Sequence, residues 1–410
     1  MSGGALERVF REASGRIVGA LAARLRDLAL AEDAFSEACT RALEVWPGKE
    51  VPSDPAAWLY QVAMRAALDG LRRRQTQQRF VSQSQPEIEA QQDPENEENV
   101  IPDERLRLIF ICCHPAVGID ARAALTLRLV CGLTTLEIAR AFLIPETTMA
   151  QRLTRAKSKI ADAGVPFELP AVQFWPERLD AVLQTIEIAY AKAHEDSAAS
   201  GAHAHFAAEM LELTKTLVQL VPDEAEPAAL AALVRFAEAR RPARLNAQGL
   251  MVPLSEQDPL RWDRSLIDEG NEYLIRAVAN DPNQARVIQT QIHAAWCARR
   301  NLQEPPPWPR VLALYDSLLF RRDDAVVRLN RIVVIAEIKG VETALSDLEA
   351  LDRELLRDFA PYHAVRADLL RRAGRGSAAR EAYSVAIAKV STRAERDWLT
   401  QQRDLVHIEK

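Results

Sequence analysis

Four side chains near residue 150 have the types and spacing needed to bind nucleic acid. Thr148, Gln151, Arg152 and Arg155 follow one another at i, i+3, i+4 and i+7, which places them on one face of a helix. Gln and Arg form paired hydrogen bonds with base edges, whereas Thr and Lys, including Lys157, reach phosphates. The pattern predicts a DNA-binding helix face; a solvated charged helix surface is the alternative.

The elements that would position these side chains are two short helices within residues 134–160. The first has apolar residues with a helical period: Leu136, Ile138, Ala139 and Phe142. Pro145 then interrupts the pattern, and the second helix carries the basic residues. This arrangement predicts a helix-turn-helix whose second helix enters the major groove.

The sequence offers little support for catalysis or for a metal or cofactor site. It has no Ser-His-Asp order, no phosphate-binding glycine loop and no GxGxxG motif. Cys112, Cys113 and His114 are adjacent, and adjacent helical residues point about 100° apart, so they cannot all bind one ion. We therefore expect buried thiols here, no metal, no cofactor and no enzyme activity.

Composition predicts an all-α protein with unevenly distributed charge. The chain has 410 residues, 48% of them hydrophobic, 15 glycines and a net charge of −6. The segment from Arg105 to Ile160, however, contains nine Lys and Arg residues and three Asp and Glu residues. No signal peptide or membrane-spanning run is found, which predicts a cytoplasmic location without membrane contact.

Composition shifts divide the chain into four parts. Packed helices are predicted in residues 1–74, and residues 75–104 are rich in Gln, Glu, Asn and Pro, which predicts a flexible acidic linker. The helix-turn-helix belongs to residues 105–165, and a less basic helical extension fills residues 170–410.

The motifs of the first three parts resemble an extracytoplasmic-function sigma factor of bacterial RNA polymerase, a member of the sigma-70 family. Two stretches of this chain resemble region 2 of that family: AEDAFSEACTRALEVW and PAAWLYQVAMRAALDGLRRR. A third stretch resembles region 4: TTLEIARAFLIPETTMAQRLTRAKSKI. The subgroup with a long C-terminal tetratricopeptide-like extension is indicated by DERLRLIFICCHPAV and by LSEQDPLRWDRSLIDEG. The resemblance implies core RNA polymerase (its β′ and β subunits) and promoter DNA as partners.

The resemblance also implies roles for individual residues. Asp33 and Glu37 occupy the positions that face the β′ coiled coil, where exposed carboxylates would steer docking to a basic partner. The −10 element would be bound by Trp58, Arg65, Arg72, Arg73 and Arg74, although core packing is an equally good interpretation of Trp58. The −35 element would be bound by Thr148, Gln151, Arg152, Arg155 and Lys157.

The extension has its own signals. From His363, small and large residues alternate: Ala367, Leu370, Gly374, Ala379, Tyr383 and Ala386. This spacing resembles one tetratricopeptide unit, with a generic helical hairpin as the alternative. The extension could inhibit or support sigma activity, or receive a signalling protein.

One segment of the extension is a candidate for contact with regions 2 or 4. It contains Gln257, Asp258, Arg261, Trp262 and Asp263. We expect Trp262 to lie between domains and an Asp of this segment to pair with Arg261; the alternative places Trp262 in the core of the extension. At the level of the whole chain, the rival interpretation is a stand-alone helix-turn-helix regulator with a protein-interaction scaffold.

Overall fold

The prediction of an all-α fold is confirmed. The computed structural model describes residues 2–46, 51–81, 104–130, 132–142, 144–165, 167–168, 175–196, 202–351, 356–390 and 392–406. Within these ranges the regular elements are α-helices and short 3-10 turns, apart from one antiparallel bridge between Leu245 and Met251. The chain forms two compact units, Met1–Leu213 and Thr214–Lys410.

Three helices begin the N-terminal unit: α1 Ser2–Leu25, α2 Leu28–Val45 and α3 Pro55–Val81. The break between α1 and α2 falls at Arg26, whose φ of 52° is left-handed, and at Asp27, whose carboxylate accepts a hydrogen bond from the Leu30 amide at 3.0 Å. Asp27 is therefore the N-cap of α2. Glu32 and Asp33, a few residues after Asp27, lie within this helix.

Helix α3 begins at Pro55 and ends at Val81. The Asp54 carboxylate accepts a hydrogen bond from the Ala57 amide at 2.9 Å, and Pro55 is the first helical residue. The helix continues to Val81, so residues 75–81, which were predicted to belong to the linker, are helical. Residues 82–103 of the predicted linker lie outside the described residues.

Five further helices belong to this unit: α4 Arg105–Cys112, α5 Ile119–Leu129, α6 Thr135–Ala141, α7 Glu146–Asp162 and α8 Trp175–Asp196. Helix α6 starts with a capping box, in which Thr134 and Glu137 each accept a hydrogen bond from the other's backbone amide. Helices α6 and α7 form the predicted helix-turn-helix. Its buried residues are Ile138, Ala139, Met149, Leu153, Ala156 and Ile160.

The two halves of this unit are in direct contact through α1. Gly15 of α1 lies against the end of α5 so closely that an added Cβ would overlap the carbonyl oxygen of Val130. One turn further along, a Cβ at Gly19 would come within 3.3 Å of the backbone carbon of Glu104. Helix α1 therefore packs tightly against both ends of the α4–α5 segment.

The remaining helices are α9 Ala202–Leu220, α10 Ala225–Arg240, α11 Arg264–Asn280, α12 Ala285–Cys297, α13 Trp308–Arg321, α14 Ala325–Ile338, α15 Val341–Glu349, α16 Ala360–Arg372, α17 Gly376–Lys389 and α18 Arg393–Asp404. Helices α16 and α17 form a hairpin in which Gly374 has a φ of 75°. The small and large residues predicted to face each other are buried together: Ala367, Leu370, Ala379, Tyr383 and Ala386. Their burial matches the predicted packing of a helical hairpin.

Candidate nucleic-acid interface

The four residues predicted to share one face of α7 do share it. Thr148, Gln151 and Arg155 are exposed, and Arg152 is half-buried beside them. All four line an open cavity of about 440 Å³ between α7 and the N-terminal end of α5. The cavity presents hydroxyl, amide and guanidinium groups side by side, which are the donors and acceptors that bind base edges and phosphates.

Arg152 is held within this surface by two neighbours. Its Nη1 lies 3.9 Å from a carboxylate oxygen of Asp120 on α5, and its guanidinium lies 5.9 Å from the centre of the Phe142 ring. Asp120 is exposed, so the ion pair is weak in water. These contacts restrict the side chain without fixing it, which leaves its hydrogen-bond donors available to a ligand.

Lys157 does not belong to this face, contrary to the sequence prediction. At about 100° per residue, Lys157 is about 180° around the helix from Thr148. Its Nζ donates a hydrogen bond at 2.8 Å to Oε2 of Glu32 on α2. Lys159 is the cation that lies on the same side as Thr148 and lines the same cavity. The helical period alone could have identified Lys159.

Glu32 connects α2 with two helices of the helix-turn-helix half. Its Oε1 accepts a hydrogen bond from Nε of Arg128 on α5 at 2.9 Å, and its Oε2 accepts the one from Lys157. The Glu32 side chain is 13% exposed, and those of Arg128 and Lys157 are 22% and 24% exposed. A cavity of about 140 Å³, also lined by Thr135 and Thr154, adjoins the three charges.

The pKa of Glu32 reflects two opposing effects. Burial raises the pKa, whereas the hydrogen bonds and charges of Lys157 and Arg128 lower it, and the net result is a pKa below the ordinary value. Glu32 is therefore ionised at neutral pH and neutralises one of its two cationic partners. No local sequence pattern indicates this network, because Glu32 is separated from its partners by 96 and 125 residues.

Two other acidic residues of α2 have a different environment from that of Glu32. Asp33 and Glu37 are exposed and separated by one helical turn, so both carboxylates are available to a basic partner.

Cys39 lies half-buried on the same helix, and burial raises the pKa of its thiol to about 12.

The residues predicted to bind the −10 element are only partly described. The Trp58 ring is half-buried and lies 5.5 Å from the ring of Trp46, measured between centroids, so it packs on the end of α2. Arg65 and Arg72 are exposed on α3, and Arg72 lies 3.4 Å from Asp69. The side chains of Arg73 and Arg74 lie outside the described part of the structure.

The segment around Trp262 is packed within the C-terminal unit. The Trp262 ring is buried in a cluster with Phe236, Ala239, Ala243 and Ile267. This position matches the alternative interpretation, in which the ring belongs to the core of the extension.

The predicted charge pair with Arg261 is wrong. Arg261 donates hydrogen bonds to the backbone carbonyls of Pro242 and Leu245. Asp258 caps the short turn at Leu260, and Asp263 accepts a hydrogen bond from the Leu266 amide at the start of α11. The buried Gln257 side chain donates a hydrogen bond to the Val252 carbonyl. The carboxylates of Asp258 and Asp263 accept hydrogen bonds from backbone amides at the start of a turn and of a helix. This explains why Arg261 binds carbonyl groups instead.

Two further features bear on the kind of site present. Among the described residues, no three His, Cys, Asp or Glu side chains are arranged to hold a metal ion, and Cys112 and Cys113 are buried. Within the same residues, no helix combines the length and hydropathy required to span a bilayer.

Comparison with known proteins agrees with this geometry. Residues 9–77 match sigma-70 region 2, and residues 107–160 match sigma-70 region 4. These two regions define a sigma factor, a class of transcription initiation factor that binds RNA polymerase and promoter DNA. Residues 178–278 match a family of unknown function (DUF6596).

One relative is similar to this chain over nearly its whole length. An uncharacterized protein of Rhizobium meliloti (strain 1021) is 36% identical over 397 residues, which cover 94% of this chain and 92% of that protein. On the evidence of its region 2 and region 4 matches, the chain belongs to the sigma-70 family and acts in promoter recognition. No solved structure matches it significantly.

Proposed function

We propose that the chain is a sigma factor of the extracytoplasmic-function type whose C-terminal extension regulates or supports its activity. The observation that carries this proposal is the open surface on α7, where Thr148, Gln151, Arg152 and Arg155 lie together. A surface of this chemistry at the second helix of a helix-turn-helix suits reading of the −35 element.

The same proposal assigns polymerase docking to α2 and −10 binding to α3. The exposed Asp33 and Glu37 supply negative charge for the β′ subunit, and Arg65 and Arg72 supply positive charge for DNA phosphates. The arginines at 73 and 74 continue this basic stretch. These contacts would be made in the cytoplasm, where the polymerase works.

The extension would act as a fused regulatory module of the tetratricopeptide-like type. Because it is covalently attached, its effective concentration at the sigma regions is high, in the millimolar range for short linkers. The helical hairpins α14–α15 and α16–α17 offer a scaffold for a signalling protein.

Transcription in vitro with core RNA polymerase tests the proposal. The full chain should direct a start site on its own promoter, and Arg152→Ala with Arg155→Ala should lower the transcript yield roughly tenfold or more, since a base-reading arginine contributes about 1–3 kcal/mol. Arg393→Ala is a matched control, because this arginine is exposed on α18. An inactive full chain that still binds duplex DNA without polymerase would favour the stand-alone regulator.

A further inference from the structure

The C-terminal unit contains a buried arginine whose charge is not balanced by its neighbours. Arg240, the last residue of α10, is 8% exposed. Its Nη2 donates a hydrogen bond at 2.7 Å to Nδ1 of His293 on α12. Its Nη1 is shielded from solvent and has no hydrogen-bond partner among the described residues. A buried guanidinium in this state is strongly destabilising unless an anion reaches it.

The two side chains beside Arg240 are uncharged. A guanidinium only donates hydrogen bonds, so Nδ1 of His293 is the acceptor and the ring proton lies on Nε2. Burial and then the charge of Arg240 lower the pKa of His293 to about 3, so the ring is neutral at physiological pH. Burial raises the pKa of the Cys297 thiol against the opposing charges of Arg240 and Arg264, so this thiol is protonated. Neither neighbour supplies a negative charge.

Other buried arginines of the same unit have complete sets of partners. Nε of Arg235 lies 3.1 Å from a glutamate oxygen of α11, and Nη1 of Arg286 lies 2.7 Å from one of α10. All three donor nitrogens of Arg299 bind backbone carbonyls. Arg240 has only a neutral ring, and the carbonyl end of α10 offers only about half a charge. This difference indicates that an anion from solution completes the environment of Arg240.

The loop between α10 and α11 supplies two further buried atoms without partners. Trp262 packs in one cluster with Ala239 and Cys297, which are next to Arg240 in the sequence and in the fold. Nε1 of Trp262 has no hydrogen-bond partner among the described residues, and neither has Oε1 of the buried Gln257. The end of α10 and this loop thus present two free donors and one free acceptor.

Arginine side chains hold this loop in place. Arg264 donates hydrogen bonds to the carbonyls of Pro259, Cys297 and Arg299, and Arg261 donates to two carbonyls at the start of the loop. A rearrangement of the loop that satisfied the free atoms would break these contacts. The free donors and acceptor are therefore held ready for a ligand, which lowers the cost of binding.

We propose that Arg240, Trp262 and Gln257 form a binding site for a small anion with a carboxylate or phosphate group. Arg240 and Trp262 donate hydrogen bonds to the anionic oxygens, and Gln257 accepts one from a hydroxyl group of the same molecule. The half-buried His293, which contacts Arg240, is the side chain through which the site meets solvent. The site goes beyond the proposed sigma function and uses none of its DNA-binding or polymerase-binding residues.

Fluorine NMR of the full chain labelled with fluorotryptophan tests the site. The chain has seven tryptophans, and the resonance of Trp262 is the one that disappears in Trp262→Phe. Glycolate and inorganic phosphate, which each combine an anionic group with a hydroxyl, are titrated separately at constant ionic strength. At least one should shift the Trp262 resonance in a saturable manner, and the responding probe identifies the class of anion. The resonance of Trp308, which packs in a different cluster, should stay in place.

Substitution of Arg240 should remove the response. Arg240→Met should weaken binding roughly tenfold or more, because the charge-assisted hydrogen bonds are lost. Arg393→Met, at an exposed arginine on α18, is the matched control and should bind as wild type does. If circular dichroism shows that Arg240→Met does not fold, Arg240→Lys replaces it. This variant keeps the charge but lacks the second donor nitrogen, so it should also bind more weakly.

Two results would overturn the site. One is a Trp262 resonance that neither anion moves at about 100 mM, a concentration at which even a weak site is occupied. The other is an equal response in wild type and in a folded Arg240 variant. A wild-type chain with the expected Trp262 response that directs no transcription with core polymerase would instead contradict the proposed function.

Discussion

Glu32 and Lys157 are 125 residues apart in the sequence, yet their Oε2 and Nζ atoms are 2.8 Å apart in the structure. This contact joins the helix that carries the proposed polymerase-docking residues to the helix that carries the proposed −35 reader. It also separates two functions among neighbouring acidic residues: Glu32 points inward to region 4, whereas Asp33 faces solvent.

The Glu32 contact should stabilise the protein in a pH-dependent way. Because the folded-state pKa of Glu32 is lowered, its stabilising contribution is complete above the ordinary pKa of 4.5 and is lost as the pH falls through the lower folded-state value. The charged groups that face Glu32 are Arg128 and Lys157. Urea unfolding of wild type and Glu32→Gln should differ by about 2 kcal/mol at pH 7, and the difference should shrink below about pH 4.5. A difference that does not change with pH would show that Glu32 ionisation is not responsible.

Lys159 and Lys157 form a matched pair for locating the DNA-binding face. Lys159→Ala should weaken promoter binding and reduce the slope of log affinity against log salt by about 1, as expected for one lost phosphate contact. Lys157→Ala should leave the slope unchanged, because its amine is on the opposite side of α7. Fluorescence anisotropy over a salt series measures both. Equal slopes for the two variants would contradict this assignment of faces.

Reversal of the exposed charge on α2 should weaken polymerase docking. Asp33→Arg together with Glu37→Arg replaces attraction to a basic partner by repulsion, so co-elution with core polymerase should fall and become less sensitive to salt. Glu44→Arg on the same helix is the control for a general charge effect. Undiminished co-elution of the double variant would remove both residues from the docking face.

Gly15 and Gly70 should respond in opposite directions to alanine. Gly15→Ala should destabilise the protein by about 1–3 kcal/mol, because its Cβ would overlap the Val130 carbonyl oxygen. Gly70→Ala on α3 should stabilise it by about 0.5–1 kcal/mol, because a Cβ there meets nothing within 4 Å and alanine favours helix. Thermal melting of both variants measures the changes. A stabilised Gly15→Ala variant would contradict the close approach of α1 and α5.

Trp262 should contribute to the stability of the extension. Trp262→Ala removes a ring packed against Phe236 and Ile267, which should cost about 3–5 kcal/mol. Leu260→Ala is the control, since Leu260 is 77% exposed and should change stability by less than about 0.5 kcal/mol. Circular dichroism melting of the full chain compares the two. Similar melting curves would mean that the ring is not part of this core.

Local patterns predicted much of the fold and part of the site. The helix-turn-helix and the shared face of Thr148 and Arg155 both follow from intervals of a few residues, which the sequence displays directly. A prediction from residue type includes Lys157 among the DNA contacts, because residue type alone takes no account of helical position. The period of α7 places it opposite Thr148.

Contacts between residues that are far apart in the sequence cannot be predicted from local sequence patterns. Glu32 finds its partners on helices about a hundred residues away, and no periodicity in α2 distinguishes its carboxylate from that of Asp33. The sequence predicts a carboxylate partner for Arg261. In the structure, however, Asp258 and Asp263 each accept a hydrogen bond from a backbone amide at the start of a turn or helix. The free carbonyls that bind Arg261 instead become neighbours only when the loop folds.

The raised thiol pKa of Cys39 has a consequence for the chemical reactivity of α2. A thiol with a pKa of about 12 is almost entirely protonated at neutral pH. Peroxide and maleimides react through the thiolate, so Cys39 should be oxidised or alkylated slowly although it is only half-buried. The helix that carries the proposed polymerase-docking residues is thereby insulated from the redox state of its surroundings.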